Sequence, residues 1–192
     1  MQNRHTHTGL AAMALLLSPA LALAHPGHGL DSAAAGFMHP LTGWDHLLVM
    51  LAVGLWAGRL GGAARWQLPL TFLLVMLVGA LAGMAGLTLP AMETGIAASV
   101  MAIGLLIALH VVLKPLWQVA LVALFALLHG VAHGAELVTH SALMVLPAML
   151  AATALLHMAG LLLASRGLPL SARLQQAIGG AIALAGGWML FA

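Results

Sequence analysis

The 192-residue sequence contains no cysteine, and only 5% of its residues are charged. The missing cysteine excludes disulfides, thiolate metal sites and thiol catalysis. A soluble domain carries roughly 25% charged residues, so this chain, with 63% hydrophobic residues, cannot cover a water-facing surface and belongs in a membrane. The net charge is only +2 and no basic run occurs, which excludes nucleic acid as a partner. Against this background, eleven histidines outnumber the six basic and four acidic residues together.

The first 24 residues have the features of a cleavable secretory signal. Arg4 gives the positive start, residues 9–17 form a short apolar stretch, and Ala22-Leu23-Ala24 provides a cleavage site of small residues. The sequence therefore predicts a signal peptide over residues 1–24 and a single mature domain over residues 25–192. An uncleaved first helix is the alternative.

The mature sequence divides into six apolar segments of near-spanning length. Each segment is long enough, or almost long enough, to cross the hydrocarbon core as an α-helix. The segments are Thr42–Leu60, Gln67–Gly86, Glu93–Leu113, Leu116–Gly134, Ala142–Ala164 and Leu174–Ala192. We therefore expect an all-α integral membrane protein, built as a bundle of six transmembrane helices in the lipid bilayer.

The basic residues of the mature chain predict its orientation. They flank or occupy the first, third and fifth loops, whereas the second and fourth loops contain no Lys or Arg. These residues are Arg59, Arg65, Lys114, Arg166 and Arg173. Because cytoplasmic loops carry an excess of Lys and Arg, both mature termini are expected in the periplasm of a bacterium, with the protein in the inner membrane.

The ionisable residues within the apolar segments are concentrated near the periplasmic side, opposite to the basic loops. One group begins the first segment, Glu93 begins the third, and another group lies in the outer half of the fourth. A charge at this depth costs at least ~2.5–3.5 kcal/mol on insertion scales, so such residues are candidates for function. The alternative is that they only form hydrogen bonds between helices.

The group in the fourth segment has helical spacing. His129, His133 and Glu136 are separated by four and three residues, which places them on one face of a helix. His140 continues this face if the helix extends so far. Gly130 and Gly134 beside them should allow a neighbouring helix to approach closely.

The group at the first segment combines His39 with Asp45 and His46. A carboxylate beside imidazoles either binds a metal itself or orients a histidine that does. His25 and His28, just after the cleavage site, are further candidates, because a freed α-amine beside an imidazole can chelate a divalent ion. Imidazole nitrogen and carboxylate oxygen without thiolate suit nickel, cobalt, copper(II) or zinc.

Three stretches together resemble the HupE/UreJ family of bacterial nickel permeases and accessory proteins associated with hydrogenase or urease. They are His25-Pro-Gly-His28-Gly, His39-Pro-Leu-Thr-Gly-Trp-Asp45-His46 and His129-Gly-Val-Ala-His133-Gly-Ala-Glu136. The resemblance covers essentially the whole mature chain. It implies metal-handling roles for His39, Asp45, His46, His129, His133 and Glu136, and it places an acidic ligand near Glu93.

The expected function is therefore secondary transport of Ni²⁺, with Co²⁺ as an alternative, from periplasm to cytoplasm. Hydrogenase or urease maturation proteins would be partners, and we expect neither enzymatic activity nor an organic cofactor. One alternative is a sensor or accessory protein that binds metal without transport. Another is an intramembrane metal-dependent hydrolase, but Gly130 follows His129 where zinc proteases of this spacing need a glutamate.

A further histidine, His157, lies deeper in the fifth segment. It is either a relay for the metal or a buried histidine that only forms hydrogen bonds. The sequence alone leaves both interpretations open.

Overall fold

A computed structural model describes residues 31–137, 141–164 and 171–192, and this part of the chain is helical without strands. The helices are α1 (Ala33–Thr42), α2 (Trp44–Leu60), α3 (Ala64–Met84), α4 (Met92–Ala108), α5 (Pro115–Glu136), α6 (Ala142–Ala164) and α7 (Ala172–Met189). Each of the six apolar segments overlaps one of the helices α2 to α7, with boundaries that differ by a few residues. The predicted signal peptide lies outside the described residues.

Helix α1 was not predicted from the sequence, because it precedes the first long apolar segment. Its N-cap is Ser32, whose side-chain oxygen accepts a hydrogen bond from the backbone N–H of Ala35 at 3.2 Å. Such an N-cap followed by three alanines favours a helix start. At Gly43 the backbone is extended, and α2 leaves at an angle of 79° to α1. This bend brings the end of α1 onto the beginning of α2.

Glycines bring the helices together in pairs. Helix α5 packs on α3 so closely that a Cβ atom at Gly130 or Gly134 would collide with the backbone of Met76 or Ala80. Glycines mediate the same kind of approach between α2 and α6, and between α4 and α7. The close approach predicted at Gly130 and Gly134 is confirmed. In a membrane, where lipid gives no hydrophobic force between helices, such contacts supply the packing energy.

The outer surface of the bundle is apolar. Large side chains such as Leu143 and Phe191 are almost fully exposed, whereas Val49, Val53 and Trp56 are buried between helices. By length and composition, α3, α5 and α6 can each cross a membrane, and the bent pair α1 and α2 gives a fourth span if counted as one. The chain is therefore a multi-pass membrane protein.

The described basic side chains lie at one end of the bundle, which we call the basic end. Helices α3 and α5 run parallel, because Gly79 packs against Gly130 and Gly83 against Gly134, so their N-termini lie together. The guanidinium of Arg59 donates to the carbonyl oxygen of Ile107 at 2.7 Å and joins the C-termini of α2 and α4 there. Helix α7 runs antiparallel to α4 and begins at the same end. The side chains concerned are Arg59, Arg65, Lys114 and Arg173.

Candidate metal centre

Three imidazoles from three helices meet at the opposite end of the bundle, the histidine end. His39 lies near the end of α1, His46 at the beginning of α2 and His133 near the end of α5. One ring nitrogen from each lies within 4.8 Å of the other two. Nitrogens bound to a common metal ion at ~2.0–2.1 Å are at most ~4.2 Å apart. Small side-chain rotations would therefore bring these three residues, the histidine cluster, onto one ion.

The ring contacts and burial show how compact the histidine cluster is. The ring centroids of His46 and His133 are 4.5 Å apart, and that of His39 lies 4.9 Å from His133. His39 and His133 are buried, and the side chain of His46 is 13% exposed. The cluster therefore combines shielding by protein with limited access from outside.

Asp45 orients His46. One carboxylate oxygen, Oδ1, accepts hydrogen bonds from Nδ1 of His46 at 2.6 Å and from its backbone N–H at 2.8 Å. Because the carboxylate accepts, Nδ1 carries a proton, and the neutral ring has its lone pair on Nε2. Nε2 is buried and has no hydrogen-bond partner among the residues described. Of the two roles considered for Asp45, the geometry favours orientation of a ligating histidine.

His129 lies one turn before His133 on α5 and is fully buried. Its Nδ1 donates to the carbonyl oxygen of Phe125 at 2.8 Å, since a carbonyl can only accept. Nε2 therefore carries the lone pair, and it has no hydrogen-bond partner within the described ranges. The ring centroid lies 5.2 Å from that of His46. His129 thus adds a fourth imidazole on the inner side of the histidine cluster.

Glu136 ends α5 beside the histidine cluster. Its Oε2 lies 3.6 Å from Nε2 of His39, and its side chain is half-exposed. Together with Asp45 it places two carboxylates next to the imidazoles, which favours a cation over an anion. Glu136 is the more exposed of these two carboxylates.

Of the remaining predicted site residues, the structure describes only Glu93, which is not part of this cluster. Glu93 is exposed in the first turn of α4, and the structure shows no contact between its side chain and the three histidines within the described residues. His25, His28 and His140 lie outside the described residues.

Phe72 is a neighbour of the site that the sequence did not indicate. Its fully buried ring lies between His129 and His157, with centroid separations of 5.7 Å and 5.0 Å. A phenylalanine inside an apolar helix differs in no visible way from core residues, so the sequence held no signal for it.

Comparison with known proteins gives a concordant result. Residues 13–189 match the family model described as HupE / UreJ protein. The chain is also 43% identical over 185 residues to a protein named Protein HupE from Rhizobium leguminosarum bv. viciae, an alignment that covers 95% of each chain. No solved structure matches the chain.

Proposed function

The chain belongs to the HupE/UreJ family, and on that premise we propose that it is a permease for a divalent transition metal. Ni²⁺ is the first candidate and Co²⁺ the second. The family consists of permease-like accessory proteins associated with nickel or cobalt uptake for hydrogenase or urease, and its members are not known enzymes. Maturation proteins of hydrogenase or urease would receive the ion in the cytoplasm.

The observation that carries this proposal is the convergence of His39, His46 and His133 from three helices. Imidazole nitrogens with nearby carboxylate oxygens suit borderline ions such as Ni²⁺ and Co²⁺. A permease must bind its ion well enough to remove bound water and weakly enough to release it. Three imidazoles with a half-exposed carboxylate beside them provide replaceable ligands of this kind.

The proposed topology has six transmembrane helices after a cleaved signal peptide, in the inner membrane. The histidine end faces the periplasm and the basic end the cytoplasm, as the positive-inside rule requires. Both mature termini are then periplasmic. An inside-negative potential of about 100 mV would favour import of a doubly charged ion by about 4.6 kcal/mol, from ~2.3 kcal/mol for each unit charge.

Flux into proteoliposomes tests the proposal. Radiolabelled nickel should enter vesicles that contain the wild-type protein and should fail to enter with a His46→Ala/His133→Ala double variant. Ser99→Ala is the control, because Ser99 is buried on α4 and its hydroxyl donates only locally, to the carbonyl oxygen of Ile96. Competition by unlabelled Co²⁺, Cu²⁺ and Zn²⁺ ranks the metals.

Two results would contradict transport. If the double variant still takes up nickel, the histidine cluster is not part of the transport path. Nickel binding without uptake by the wild-type protein would favour an accessory protein or sensor that binds metal only.

A further inference from the structure

His157 on α6 is a buried histidine with no described hydrogen bond. The residue is only 1% exposed, and neither ring nitrogen has a hydrogen-bond partner among the residues that the structure describes. Buried polar atoms are nearly always hydrogen-bonded, because leaving them unpaired costs free energy. The imidazole of His157 therefore has its nitrogens available to a ligand.

A file of rings connects His157 to the histidine cluster. The ring of His46 contacts that of His129, His129 contacts Phe72, and Phe72 contacts His157. The successive centroid separations are 5.2, 5.7 and 5.0 Å. These contacts connect His157 to the histidine cluster by way of Phe72 and His129.

The packing of α2 on α6 follows the same route. Met50, one turn after His46, accepts a hydrogen bond through its sulfur from the hydroxyl of Thr153 at 3.3 Å. Thr153 lies one turn before His157, whose backbone packs against Gly54, one turn after Met50. The thioether of Met50 and the hydroxyl of Thr153 thus lie between the histidine cluster and His157 along the helix axes. Elsewhere on these faces the buried side chains are mainly apolar.

We propose that His157 is a second binding site for the transported divalent ion, on the inner side of Phe72. The identity of the ion rests on the proposed function, whereas the site itself rests on the unpartnered imidazole and the file of rings. Phe72 has no lone pair, so it separates two binding positions instead of ligating. Successive weak sites allow an ion to leave the first position without a single deep well.

Nickel binding and nickel uptake by two variants test this site. His157→Leu removes the nitrogens and keeps a side chain of similar size, and His157→Phe, which also has no ligating atom, is the second variant if the first does not fold. Equilibrium dialysis of the tag-free, full-length protein at millimolar Ni²⁺ should show one more ion per chain in the wild type than in either variant. The initial rate of uptake should fall by about tenfold or more, while the affinity of the tightest site stays unchanged.

Ser99→Ala should match the wild type in both measurements, whereas His133→Ala should weaken the tightest site. With the wild-type protein active, an unchanged stoichiometry or an unchanged uptake rate in the folded variants overturns the proposal. If no protein takes up nickel, wild type included, the proposed function fails. The stoichiometry then decides by itself whether His157 binds the ion.

Discussion

At the scale of single residues, the site depends on which ring nitrogen keeps a lone pair. Asp45 fixes this for His46, and the backbone carbonyl of Phe125 fixes it for His129. In both neutral rings the lone pair available to a metal is therefore on Nε2. A histidine held in this way binds metal without first losing rotational freedom or changing tautomer. The orienting groups should therefore matter almost as much as the ligands.

Replacing the orienting carboxylate should weaken nickel binding. Asp45→Asn keeps the size of the side chain and removes its charge, so His46 loses its charged hydrogen-bond acceptor. We expect the affinity for nickel to fall by about 10–100-fold, the usual cost of losing such a partner. Isothermal titration calorimetry of the purified protein measures this. Asp31→Asn is the matched control, since Asp31 is exposed before α1; equal losses in both variants would contradict an orienting role.

Removing the carboxylate at the mouth of the site should act on a different step. Glu136→Gln leaves the histidine cluster intact and takes away the negative charge beside His39. The association rate for Ni²⁺ should fall, and the fall should be smaller at high salt, because exposed charges are screened. Stopped-flow measurements at two ionic strengths test this. A change confined to the dissociation rate would instead identify Glu136 as a ligand.

At the scale of helices, the ligands are held by pairs of closely packed elements. Helix α5 carries His129 and His133, and its position depends on the glycine contacts with α3. The sequence predicted this approach, since Gly130 and Gly134 flank the histidines. It did not predict α1, because this ten-residue helix is too short to stand out as an apolar segment before His39. It also gave no reason why Glu93 should lie away from the histidine cluster, because the placement of α4 is set by tertiary packing that no local pattern records.

Filling the contact between α3 and α5 should damage both folding and binding. In Gly134→Ala the new Cβ meets the backbone of Ala80, which cannot move aside as a flexible side chain would. We expect a loss of about 1–3 kcal/mol of stability from overpacking, with weaker nickel binding because His133 is displaced. The apparent unfolding temperature in detergent and the nickel affinity measure the two effects.

Gly180→Ala is the control for this change. Gly180 lies inside α7, and a Cβ there meets nothing within 4 Å. Its stability should stay the same or rise by about 0.5–1 kcal/mol, because alanine favours a helix over glycine. If both glycine variants lost stability equally, close packing at Gly134 would not be the cause.

At the scale of the whole molecule, the six helices α2 to α7 form three closely packed pairs, two of which are similar. Helix α2 packs on α6 and α5 packs on α3, each through glycines four residues apart, Gly54 and Gly58 in one pair and Gly130 and Gly134 in the other. Helices α4 and α7 form the third pair. This arrangement resembles the inverted repeats of many permeases, in which one half rocks against the other. The chemistry is not repeated, because the histidine cluster lies at one end and the basic side chains lie at the other.

This polarity predicts the orientation in the membrane, and the absence of native cysteine makes it directly measurable. Asp31→Cys places a thiol before α1, next to the histidine end, and Lys114→Cys places one at the exposed start of α5, at the basic end. A membrane-impermeant maleimide added to spheroplasts should label the first and spare the second, because Lys and Arg are retained on the cytoplasmic side. After permeabilisation both should react. Labelling of Lys114→Cys alone in intact spheroplasts would show the opposite topology. The histidine cluster would then face the cytoplasm and receive metal from that side.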